Sequence, residues 1–138
     1  MGFLTNSPLF ITPISPPGRD VQVKHIQVSR TDTASSVKAI LPADASIVYV
    51  VRHGSTASDA ATTATVTLTA ANNSGTVSSK ADDVKGSGAT TGFVTMSSLP
   101  NLTPQPLVGD ITISAVYAET GTASTTGGPW NYLIAYIR

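Results

Sequence analysis

The sequence predicts an all-β fold, an antiparallel sandwich or jelly roll carrying an extended amino-terminal arm. Three observations predict it. Short runs rich in β-branched and aromatic residues recur along the chain, parted by Gly, Pro and Asn turn signals. One of them, Thr63 to Ala70, alternates cleanly: Ala64, Val66, Leu68 and Ala70 share one face and threonines the other, as in a half-exposed antiparallel strand. Helix signals are confined to one short candidate, Ser79 to Val84, with Ser78 or Ser79 as its cap and Ala81 and Val84 turned inward.

The chain divides at about residue 20. Residues 1–20 carry Pro8, Pro13, Pro16 and Pro17, with Phe3, Leu4, Leu9, Phe10, Ile11 and Ile14 between them. Proline fixes φ and removes a backbone donor, so this stretch is expected to be extended and outside any sheet interior. A linker would be polar. This segment is apolar and needs a surface, on its own domain or on a neighbouring subunit. The six apolar residues are therefore candidate assembly contacts.

Residues 21–138 are the predicted sandwich. Val21 and Val23 share one face and Ile26 and Val28 the other, which suggests a bulge near His25. Ser36 to Leu41 is a second strand, stopped by Pro42. Ser46 to Arg52 is almost wholly apolar, so it is expected to be buried on both sides. After the alternating strand, Asn72 to Gly75 reads as a turn. Phe93 to Ser97 is a further candidate. Leu107 to Tyr117 places Ile111, Ile113, Ala115 and Tyr117 on one face, and Trp130 to Ile137 closes the chain. The Gly127-Gly128-Pro129 turn is expected to aim Trp130 into the core.

Composition narrows the function. The 138 residues are 41% hydrophobic, enough for a core, yet only 12% charged, about half the usual share. Eight basic residues balance eight acidic ones. That balance argues against a nucleic-acid partner and against a polybasic membrane anchor. No apolar run is long enough for a membrane helix, and Met1 to Pro17 does not read as a secretory signal. With no cysteine there is no disulfide frame and no Cys-type zinc site. No cofactor or metal is expected. So weakly charged a surface suits a chain packed against other chains.

One motif looks catalytic. Arg52-His53-Gly54 at a strand end resembles the signature of histidine phosphatases, in which the His takes up phosphate and Arg residues hold the phosphoryl oxygens. The chemistry needs a second His and a second Arg downstream. After His53 there is no histidine, and the next Arg is Arg138. The motif is rejected and no enzyme is expected. Ser55, His53 and Asp59 include the residue types of a triad without its geometry. Asp82-Asp83 lacks the alternating ligands of a calcium loop and reads as a solvated turn or helix start. Asp110 and Glu119 are taken as strand-end charges.

Two longer stretches resemble a family. Leu41-Pro42-Ala43-Asp44-Ala45-Ser46-Ile47, continuing through Thr56-Ala57-Ser58-Asp59 to Val66, is a Leu-Pro entry to a strand, a small-residue loop and a threonine strand. Gly109-Asp110-Ile111 through Tyr117, the Gly/Ala/Ser/Thr loop and Gly127-Gly128-Pro129-Trp130 is the second, with Ala81-Asp82-Asp83-Val84-Lys85 between them. These are similar to small β-sandwich structural proteins of tailed bacteriophages. The resemblance implies a virion protein made in the host cytoplasm, a cement (decoration) protein on the outer surface of the head. Its implied partners are the major capsid protein and further copies of itself, first as a trimer, second as a dimer. A tail- or fibre-associated adhesion module is the alternative. It would need a ligand groove lined by Trp130, Tyr132 or Tyr136.

Overall fold

The computed structural model describes residues 20–53, 56–94 and 109–138. The Pro-rich arm therefore lies outside the described residues, except for Asp20. Eight strands are described: β1 (Val21–Val28), β2 (Ser36–Leu41), β3 (Ser46–His53), β4 (Thr63–Asn72), β5 (Gly75–Asp83), β6 (Gly92–Phe93), β7 (Ile111–Thr120) and β8 (Trp130–Ile137). They form two four-stranded sheets, ordered β1-β8-β3-β6 and β2-β7-β4-β5, with every pairing antiparallel.

That order has a simple origin. β4 and β5 form a tight hairpin around Asn73 and Ser74, with Gly75 at φ 119° and the Ser74 amide donating to the Asn72 side chain at 2.9 Å. Outward from this hairpin, β3 pairs with β6, β2 with β7 and β1 with β8. The chain is thus one long two-stranded ribbon. Wrapping it lets β8 meet β3 and β7 meet β4, which closes both sheets. This is the jelly roll, in which a double sheet of eight strands shares one core.

Alternation supplies that core. Ala64, Val66, Leu68 and Ala70 of β4 and Ile111, Ile113, Ala115 and Tyr117 of β7 are buried, as are Trp130, Tyr132, Ile134 and Tyr136 of β8. They pack with Ile26 and Val28 of β1, Leu41, Ile47, Val50 and Val84.

Four expectations need correction. Ser79 to Val84 is not helical: Ser79 to Asp83 belong to β5, because Ser78 and Asp82 face inward beside β4 at a period of two. β1 has no bulge. Its register with β8 is unbroken from Val21 to Val28, and its apolar residues simply change faces, Val21 and Val23 outward, Ile26 and Val28 inward. β3 is not buried on both sides; Val48 and Tyr49 are exposed, and its register slips between Ile47 and Tyr49. The Phe93 strand is two residues long, Gly92–Phe93, and Thr95 to Ser97 lie outside the described residues.

Candidate functional site

The strand period separates the two halves of the phosphatase-like motif. Arg52 points into the sandwich and is buried, whereas His53 projects from the outer face. Arg52 Nε donates to Asp82 Oδ2 at 2.7 Å, and the Tyr132 hydroxyl donates to the same oxygen at 2.8 Å. The rest of the guanidinium is held by the 84–91 loop, donating to the carbonyls of Ser87 and Thr90 and to Ser87 Oγ. All three guanidinium nitrogens of Arg52 donate within the fold. Burial, followed by the charge of Asp82, pushes the Tyr132 phenol well above its ordinary range, so it stays a donor. Asp82, read from the sequence as a solvated turn or helix start, is instead the inward partner of a buried ion pair joining the two sheets. Asp83 faces out and caps the following turn through the amides of Lys85 and Gly86.

His53 does meet the chain's other histidine. His25 on β1 and His53 on β3 approach across β8 with ring centroids 6.0 Å apart, edge to face. Sequence spacing hides this pair, because only the ribbon wrap brings β1 and β3 to either side of β8. Arg52 is on the opposite face, so the three do not converge. Gly54 and Ser55 lie outside the described residues. Among the described residues no group of three or more His, Asp or Glu is placed to hold a metal. No helix among them is long and apolar enough to cross a membrane.

Two further acids, Asp59 and Glu119, tie loops to the sandwich. Asp59 accepts from the Thr125 amide at 2.8 Å, the Thr125 hydroxyl at 2.7 Å and the Thr126 amide at 2.9 Å. These donors, the Thr126 amide foremost, lower its pKa to about 2. Main-chain bonds run alongside: Asp59 N to Thr126 O, Ala61 N to Thr122 O and Gly128 N to Thr56 O. The 56–62 and 121–129 loops are thereby laced into one unit. Glu119 accepts from the Tyr117 hydroxyl and the Ser124 amide; the Ser124 and Tyr117 hydroxyls hold its carboxyl below the usual range. Asp110 and Glu119 stand near opposite ends of β7, about 30 Å apart along the strand, too far to share a substrate.

The two outer faces of the sandwich differ in chemistry. On the β2-β7-β4-β5 sheet the central strands β4 and β7 are largely hydroxylic, while the edge strand β2 exposes Val37 and Ile40. Thr63 bonds Thr120, Thr69 bonds Ser79, and Thr112 donates to the Ala71 carbonyl. On the β1-β8-β3-β6 sheet the outward rows run Val23–Ala135–Tyr49 and His25–Leu133–Val51–Phe93. Phe93 is 75% exposed, Val21 64% and Val23 52%, and Tyr49 packs edge-on against Phe93 at 6.1 Å. This apolar face is the surface that sequence reasoning missed. Its signal was present in Val21 and Val23, whose phase was read as a bulge.

Trp130, Tyr132 and Tyr136, the residues an adhesion groove would need, are all buried. The six arm residues Phe3, Leu4, Leu9, Phe10, Ile11 and Ile14 lie outside the described residues.

No family model matches the chain, and no curated protein sequence matches it. Among solved structures, a chain of the cyanophage Pam1 capsid asymmetric unit matches over 91% of this chain and 90% of its own length, with a TM-score of 0.56 and 17% sequence identity. At that identity the likeness is one of fold: this chain has the jelly-roll sandwich also found in a component of a phage capsid.

Proposed function

We propose that the chain is a non-enzymatic structural protein of a phage virion, and within that class a cement protein binding the outer surface of the head. The observation that carries the reading is the end-to-end match in fold to a chain of a phage capsid. The two chains are of nearly equal length. The buried Arg52, whose three guanidinium nitrogens all donate within the fold, supports a role without phosphate chemistry. The low charge and the apolar outer face support life in an assembly. The proposed partners are the major capsid protein and further copies of this chain, a trimer first. Phe3, Leu4, Leu9, Phe10, Ile11 and Ile14 of the arm are proposed as contacts. Cement of this kind acts by mass action, since it binds the assembled shell and not the separated subunits.

The test is co-sedimentation of the purified full chain with empty heads. Saturable binding that raises the temperature at which heads open is the expected result. A chain that ignores heads but pellets with isolated tails or fibres would overturn the cement reading in favour of the adhesion module.

A further inference from the structure

The apolar outer face of the β1-β8-β3-β6 sheet has an occupant in the same sequence. We propose that in the free protein the chain's own residues 1–19 lie across this face, over Val23, Tyr49, Val51, Leu133 and Phe93. The inference deepens the reading of the arm as an assembly contact and rests on it.

Four observations converge. The two central rows of the face are apolar but for His25 and hold no Lys, Arg, Asp or Glu. Residues 1–19 match it: among their side chains only Arg19 is charged, and Phe3 to Ile14 supply six large apolar groups. The segment joins the sandwich at Asp20, next to Val21, the first residue of β1 and a corner of that same sheet. The reach is ample. From β1 to β6 is three strand spacings, about 14 Å. Seventeen extended residues span up to roughly 60 Å.

Connectivity decides between this copy and another. A tethered segment meets its own sheet at an effective concentration of order millimolar. The closure cost rises only slowly with tether length. In dilute solution the chain's own sheet therefore wins. The opposite outer face exposes Val37 and Ile40 on its edge strand β2, but its central strands carry outward threonines bonded through their hydroxyls, and the segment enters at a corner of the other sheet. Docking on a shell then becomes an exchange, in which the arm leaves its own sheet for a neighbour and leaves the sheet's apolar face free for a second contact.

The chain has no cysteine, so introduced thiols report without competition. Two full-length double variants, Phe10→Cys with Val51→Cys and Leu4→Cys with Val23→Cys, are oxidised at micromolar concentration with no shell present. The expected result is a disulfide within one chain for at least one pair, its yield unchanged on tenfold dilution. A control, Phe10→Cys with Thr67→Cys on the hydroxylic face, should close at least tenfold less. Three results would overturn the proposal: neither pair closing while Trp130 emission stays native, disulfides forming only between chains, or the control closing as readily. Because no shell takes part, these outcomes are read separately from head binding.

Discussion

The indole of Trp130 lies stacked on the phenol ring of Tyr117, with centroids 5.2 Å apart and planes 13° from parallel. The two residues belong to opposite sheets, β8 and β7, so the stack is a rivet through the sandwich. Gly128 makes room for it. A Cβ there would come within 3.1 Å of the indole, and its φ of 67° is one that side-chain-bearing residues avoid. Trp130→Ala is expected to destabilise the fold by about 3–5 kcal/mol. As the chain's one tryptophan, Trp130 also reports on itself. Native emission should be blue-shifted and resist quenching by iodide. A red-shifted, readily quenched native spectrum would contradict the buried stack.

The Arg52–Asp82 pair carries a second prediction. Removing one partner of a buried pair leaves the other charge stranded, at a cost of about 3–5 kcal/mol, whereas replacing both with apolar groups costs far less. Arg52→Met alone should therefore unfold at much lower urea than Arg52→Met with Asp82→Leu. The double variant will not be fully silent, because the 84–91 loop loses its guanidinium anchor. That loop is already tightly drawn: a Cβ on Gly88 would lie 2.1 Å from the Val84 carbonyl oxygen. Equal loss in the single and double variants would show that the ion pair is not what matters at this site.

Asp59 predicts a pH response. Its pKa is lowered in the fold to about 2, below the ordinary value of 3.8. A depressed carboxyl contributes stability that is present above the unfolded value and lost as pH falls through the folded one. The lacing of the 56–62 and 121–129 loops should accordingly hold at pH 5 and weaken between about pH 4 and pH 2. Amide exchange at Thr125 and Thr126 is the readout. Asp59→Ala should show the faster exchange already at pH 7, and no further acceleration from this source on acidification.

How much of this was legible beforehand follows from what each signal depends on. β4 could be read because its alternation is local: each threonine and each apolar neighbour declares its own face. The inward rows of β7 and the burial of Trp130 were legible for the same reason. β5 was misread because its inward positions are Ser78, Lys80 and Asp82, polar residues on a sheet edge, so the period of two has no hydrophobic contrast to show it. Asp82 is apolar-facing only because Arg52, thirty residues away, supplies its counter-charge. The His25–His53 approach and the two outer faces depend on the ribbon wrap, which no local pattern encodes. The turn around Asn73 was visible, but that it is the tip from which the ribbon folds follows only from the pairings.

The last prediction concerns removal of residues 2–18. Every described ladder begins at or after Val21, and the core from Ile26 to Tyr136 closes among the described residues. The truncated chain should therefore fold, with native far-ultraviolet dichroism and a blue-shifted Trp130. It should lose two things. The outer face bearing Phe93, Val21 and Val23 would be bare, so the truncated chain should bind a hydrophobic dye several-fold more strongly and associate at lower concentration than the full chain. Its hold on empty heads should also fall, because each large apolar side chain of the arm is worth about 1.5–3 kcal/mol when fully buried. Melting, sizing and co-sedimentation separate the possibilities. Unfolding on truncation would make the arm part of the core. Undiminished binding to heads would remove it from the contact with the shell. Unchanged dye binding would mean that the apolar face is covered by something other than the arm.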